Sequence, residues 1–196
     1  MRKRVAAYLL VMAVAVAAAG VCLWFALTSG QREVLRTFGG TESVRILKNP
    51  TKVEAFRLGK LPEGMHLHEA GLEDYPITAG PFSVPTEIAQ SITAALLDPD
   101  SYVWLPKKCK PKYGVRVAFH GSGGRIDILL CFECDYLASY RDGEPVSGGN
   151  FDYARAELVL AAKAIFPEDE VIQSLAEDRH AGRTAEPLPG NDGSNR

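Results

Sequence analysis

A chain of 196 residues with 46% hydrophobic and 23% charged residues has the composition of an ordinary folded domain, which excludes a wholly disordered chain and a collagen-like one. The net charge of −2 is unevenly spread: residues 1–30 carry Arg2, Lys3 and Arg4 and no acid, which leaves residues 31–196 at −5. That mildly acidic body excludes nucleic acid as the main partner, and four cysteines are too few to replace a core with disulfides.

Met-Arg-Lys-Arg is followed by a predominantly apolar run, Val5 to Leu27, and no further charge appears before Arg32. As a helix the run would be about 34 Å long, enough for a hydrocarbon core of ~30 Å. The basic cluster on its N-terminal side predicts a single-pass signal anchor with the N-terminus in the cytoplasm and the body outside it, in the periplasm or at the cell surface. Trp24 and Phe25 stand at the outer end, where aromatic residues favour the interface. The rival is a cleaved signal peptide with Ala17-Ala18-Ala19 as its site. The apolar run continues past that site, which favours the anchor. A lipoprotein reading through Cys22 is weakened by the bulk of Val21.

In the body, Val34, Leu35 and Phe38 are spaced as on a helix, which Gly39-Gly40 stops. Thr41 opens a second short helix through Leu47, ended by Asn49-Pro50. Val53 to Leu58 reads as a strand, residues 60–76 as a loop, and Tyr75 to Val84 as a short strand broken by Gly80-Pro81. After Pro85, the stripe Ile88, Ile92, Ala95 and Leu96 predicts an amphipathic helix ending before Asp98-Pro99. From Tyr113 to Phe132 two period-two runs flank Gly121-Ser122-Gly123-Gly124, the pattern of a β-hairpin. A strand follows over Tyr136 to Arg141, a turn at Asp142-Gly143 and a loop over 143–150. Asn150 or Asp152 can cap a helix from Tyr153 to Phe166, with Leu158, Ala161, Ala162 and Ile165 buried. A last short helix spans Glu168 to Ala176, and from Glu177 the composition is that of a disordered tail. The fold class is therefore α+β: a small antiparallel sheet built on a central hairpin, flanked by helices, after an N-terminal transmembrane helix. The domain division is 1–30 for the tip and anchor, 31–176 for the extracytoplasmic domain and 177–196 for the tail.

Cys109, Cys131 and Cys134 carry the sharpest chemical signal. The hairpin register places Phe119 opposite Ile126, Val117 opposite Ile128 and Val115 opposite Leu130. Continued outward, the alternation sets Cys109 and Cys134 on that same apolar face and Cys131 on the other. This favours a Cys109–Cys134 disulfide with Cys131 single, although a bulge near Cys131 would change the parity. Zinc is the second chemistry: Cys131-Phe-Glu-Cys134 is a common half-site, with Cys109 as a third ligand and His66, His68 or His120 to complete it. Against it, no second C-x-x-C pair exists. The third is a redox-active C-x-x-C over Cys131 and Cys134, which Glu133 opposes by disfavouring a thiolate between them.

Other features have plain structural explanations. His66-Leu-His68-Glu69 reads as a solvated loop. Lys107, Lys108, Lys110 and Lys112 could meet an anionic lipid or polymer, or could protect an edge strand from pairing. Gly121 to Gly124 lacks both the serine-hydrolase and the phosphate-loop spacing. No nucleophile–base arrangement and no acid/base pair of carboxylates can be named, so no catalytic residue is assigned.

The stretches Lys108-Cys-Lys-Pro-Lys-Tyr-Gly114 and Ile128-Leu-Leu-Cys-Phe-Glu-Cys134, with a later helix ending at Phe166-Pro167, resemble a family of uncharacterised bacterial exported or membrane-anchored proteins with a C-x-P…L-L-C-F-x-C core. The resemblance covers residues 41–175 and is specific around the cysteines. It implies a bacterial exported domain and carries no activity. The function expected from the sequence is a membrane-anchored extracytoplasmic module, non-enzymatic, binding or structural, held by a disulfide and needing no cofactor. The alternative is an envelope thiol-redox or zinc protein using Cys109, Cys131 and Cys134.

Overall fold

The computed structural model describes residues 29–65 and 70–178, together with Met12, Ala15 and Val16. The first helical segment covers 29–37 and stops at Gly39 and Gly40, whose φ values of 79° and 100° are ones that glycine adopts at little cost. Helix α1, Thr41–Lys48, follows at once. Strand β1 is Lys52–Leu58 and β2 is Ile77–Ser83. Helix α2 is Thr86–Leu97. The hairpin is β3, Val115–Gly121, with β4, Gly124–Cys131. Then come β5, Tyr136–Arg141, β6, Glu144–Asn150, α3, Arg155–Ile165, and α4, Glu170–Gln173.

All six strands form one antiparallel sheet in the order β2-β1-β3-β4-β5-β6. The hairpin register, with Phe119 opposite Ile126, Val117 opposite Ile128 and Val115 opposite Leu130, is the one its alternation implies. Val53, Ala55, Val117, Phe119, Ile128 and Leu137 turn to one face of the sheet. There they join a core with Phe38, Ile46, Leu47, Ile92, Leu96, Leu158 and Ala162 from the helices. The Ser139 hydroxyl donates to the Thr37 carbonyl and ties the first helical segment to β5. The other face carries a smaller cluster of Leu58, Leu72, Tyr75, Tyr113, Leu129, Cys131, Cys134 and Tyr140. The fold is thus α+β, with helices on an antiparallel sheet.

Two expectations about the architecture change most. Residues 143–150, read as a loop, form β6, which pairs with β5 from Arg141–Glu144 to Tyr136–Asn150. Pro145, Gly148 and Gly149 hide it in the sequence, because proline and glycine argue against a strand. As the outermost full strand it tolerates Pro145.

The second correction concerns the membrane. Among the described residues no helix is long and apolar enough to cross a membrane. Helix α2 has 12 residues, about 18 Å of rise, against the ~30 Å a span requires. The transmembrane helix expected over Val5–Leu27 finds no support among the described residues, and the run lies outside them apart from Met12, Ala15 and Val16. The membrane-anchored function, single-pass topology, signal anchor, export, extracytoplasmic body and membrane partner expected from that run are likewise not supported by the described residues. His66, His68 and Glu69 and the tail from 179 onward also lie outside the described residues.

Candidate functional site

Between α2 and β3 the chain has little regular structure, yet it is fixed at several points. Val103 makes a single antiparallel bridge with Asn150 at the end of β6, donating its N–H to the Asn150 carbonyl at 2.9 Å. The Asn150 side-chain amide donates to the carbonyls of Val103, at 3.1 Å, and Leu105, at 2.6 Å. The Lys107 ammonium donates to the Cys134 carbonyl at 2.9 Å and the Asp152 carboxylate at 2.6 Å. Cys109 and Cys134 lie at disulfide range, with Cα atoms 6.2 Å apart and a sequence separation of 25. The Lys112 N–H donates to Cys131 Sγ at 3.1 Å, and its ammonium reaches Glu133 at 2.9 Å. Residues 103–114 are thus a strap across the β4–β5 turn.

Parity does not explain the cysteine geometry. Strand β3 begins at Val115 and β4 ends at Cys131, so Cys109 and Cys134 lie beyond the ladder. The chain then turns through Asp135, which has φ 52°, and Cys134 joins Cys131 in the smaller cluster instead of the helix-covered core. A buried Arg155 holds this turn by donating to the Asp135 carboxylate and, at 2.7 Å, to the Phe132 carbonyl. Cys131 is a buried free cysteine.

The zinc and redox alternatives are corrected by the same geometry. Among the described residues no group of three or more His, Cys, Asp or Glu side chains could hold a metal ion. The Cys109 and Cys134 sulfurs face each other, and Cys131 Sγ sits under the Lys112 N–H. His120 is on the far side of the hairpin, its Nε2 at 3.0 Å from Glu54. Cys131 and Cys134 are not paired as a redox C-x-x-C requires.

Two cavities flank the strap. The first is a slot of about 720 Å³, lined by Trp104, Leu105, Pro106, Pro111, Tyr113 and Tyr136 and by Gly148 to Asn150. Trp104 stacks on Tyr102 with ring centroids 4.8 Å apart. Trp104 and Leu105 remain exposed, at 41% and 71%. Gly148 lies beneath Tyr136: a Cβ there would come within 2.5 Å of the Leu137 carbonyl oxygen and 2.7 Å of the Tyr136 ring carbon that bears the hydroxyl. Asn150 also lines the slot and is only 6% exposed, and its Oδ1 is buried with no hydrogen-bond partner. Both amide hydrogens hold the strap, so this oxygen is an acceptor left for something else.

The second cavity, about 610 Å³, lies across the strap and shares Pro111 and Tyr113 with the first. Leu58, Leu61, Tyr75, Val171, Ile172 and Leu175 give it an apolar lining, with Lys60 and Lys112 among its charged residues. Burial pushes the Tyr75 and Tyr113 hydroxyls well above the usual phenol range, so both remain protonated near neutral pH. They pack edge to face at 5.6 Å.

The lysines around Cys109 do not guard an edge strand, since the strap forms none. Sequence reasoning missed Trp104, Gly148 and the role of Asn150, which it took for a helix cap. The available signal was Trp104-Leu105-Pro106 directly before the lysine run, an apolar patch beside like charges. Comparison of the chain with protein-family models, with curated proteins and with solved structures finds no match.

Proposed function

We propose that residues 31–176 form a non-catalytic binding module and that the slot beside the strap receives its ligand. One observation carries this reading: an apolar, partly aromatic slot is lined by Asn150, whose buried amide oxygen Oδ1 has no hydrogen-bond partner. Leaving such an acceptor unsatisfied costs about 1–3 kcal/mol, and a ligand bringing one N–H or O–H donor would relieve that cost. Apolar walls with one or two placed polar groups are the usual make-up of a binding cavity. The other polar groups in the slot do not form a nucleophile and base. Lys107 is held by Asp152, and Cys109 faces Cys134. The pairing of Cys109 with Cys134 belongs to this proposal as the tie that keeps the slot wall in place.

The test uses indole and 1-methylindole, which differ in the single N–H donor. Each is titrated into the full chain while the backbone amide resonances of Trp104, Gly148, Gly149 and Asn150 are followed. Indole should shift these resonances, and 1-methylindole should bind about fivefold or more weakly, the order expected for one hydrogen bond. Equal binding would remove Asn150 Oδ1 as the recognition element, and no shift at the slot with either compound would overturn the reading.

A further inference from the structure

Resting on the slot as a binding site, we infer that the partner is an extended acidic peptide. It runs from the slot across Pro111 and Tyr113 into the second cavity. The first argument is continuity. The two cavities lie on either side of the strap and share those two residues, so one chain can occupy both with its apolar side chains while its backbone crosses the strap.

The second argument is charge. The strap carries Lys107, Lys108, Lys110 and Lys112. Lys107 pairs with Asp152 and Lys112 with Glu133. Lys108 and Lys110 are exposed and have no acidic partner among the described residues, nor has Lys60 at the second cavity. Glu133, already facing Lys112, is the one acidic side chain among the described residues lining either cavity. Residues 31–196 have a net charge of −5, so the strap is a cationic island on a mildly acidic body. Such an island raises the encounter rate of an acidic partner and disfavours a basic one.

The third argument is the unpartnered acceptor. A peptide supplies backbone N–H donors of the kind that Asn150 Oδ1 lacks, and it supplies apolar side chains for both cavities. An anionic headgroup or polyanion meets the lysines but does not fill apolar slots. Partner recognition thus combines a donor at Asn150, apolar anchors in the cavities and carboxylates at Lys108 and Lys110.

Fluorescence anisotropy with the full chain tests this. One probe is a labelled peptide alternating glutamate with leucine and tryptophan; the second has lysine in place of each glutamate. The acidic peptide should bind about tenfold or more tightly than the lysine peptide, and the advantage should shrink as salt is raised. The double variant Lys108→Glu, Lys110→Glu should lose that advantage while its slot resonances still shift with indole. Equal binding of both peptides, with the indole response intact, would overturn the acidic-partner inference and leave the binding reading standing. Loss of the indole response as well would remove both. Binding to phosphatidylglycerol vesicles but to neither peptide would also overturn it, in favour of a lipid surface.

Discussion

On one face of the sheet Val117, Phe119, Ile126, Ile128 and Leu137 meet helical side chains in one continuous apolar core. The opposite face joins a small aromatic and aliphatic cluster to a lattice of charges. Asp127, with no exposed surface, receives Arg116 at 2.7 Å and Arg125 at 2.7 Å. Arg116 in turn lies over the Phe56 ring at 4.8 Å. A buried carboxylate is tolerated because two guanidinium groups satisfy it. The difference bears on where the cavities form. Close-packed side chains fill space on the first face. Around the strap, directional bonds hold the chain at separate points, and the slot and second cavity lie between those points.

The contrast can be broken most directly at two phenylalanines. Phe119 has no exposed surface and sits in the helix-covered core, whereas Phe56 is partly exposed under Arg116. Phe119→Ala should cost about 3–5 kcal/mol in urea unfolding, and Phe56→Ala about 1 kcal/mol. Equal losses would mean that the second face is as tightly packed as the first.

The next largest effect tests the strap. A Cys109–Cys134 bridge would close a loop with a sequence separation of 25, which chain-entropy estimates value at about 3 kcal/mol. Cys109→Ser and Cys134→Ser should each remove roughly that amount from oxidised protein, and the double variant little more, because both break one bond. Cys131→Ser should cost less. Peptide mapping under thiol-blocked, non-reducing conditions identifies the bridge directly, and a Cys131–Cys134 linkage would contradict this pairing.

The same contrast explains what the sequence makes legible. The β3–β4 register follows from alternation about a glycine turn, since one face must be apolar and a one-residue slip would reverse it. In α2 the stripe locates Ile92, Ala95 and Leu96, but the buried residue of the first turn is Ala89, with Ile88 only partly buried. The strap has no period to read. Its place is set by bonds to Asn150, Asp152 and Glu133, each 21 positions or more further along the chain than the strap residue it holds. Cysteine parity fails for a related reason: periodicity ends where the ladder ends, and Cys109 and Cys134 lie past it. Strand β6 is hidden by its glycines, and Gly148 offers a test. The neighbouring Leu137 carbonyl is backbone and cannot turn aside. Gly148→Ala should therefore cost about 1–3 kcal/mol and move the resonances around Tyr136. A loss below about 0.5 kcal/mol, the range of an ordinary surface substitution, would show the strand edge to be looser than the geometry requires.

The smallest effect lies where the second cavity meets α4. Asp169 caps that helix by accepting the Ile172 N–H at 3.0 Å, and it receives Arg57 Nε from β1 at 2.7 Å. Burial alone would raise its carboxyl, but the Ile172 N–H and the Arg57 guanidinium outweigh burial and hold it below the ordinary aspartate value. A carboxyl with a folded-state pKa below its unfolded value stabilises the fold fully above the unfolded value. It loses that contribution as pH falls through the unfolded and then the folded value. Both partners are partly exposed, so the contribution is about 1 kcal/mol. Asp169→Asn should lower stability by that amount at neutral pH, and by nearly the same amount at pH ~5, above the ordinary aspartate pKa of about 3.9. The gap between variant and parent should close as pH drops below that value. A gap that stays constant into the acid range would assign the effect to the neutral geometry of the cap and remove the Arg57–Asp169 charge pair as the link between sheet and helix.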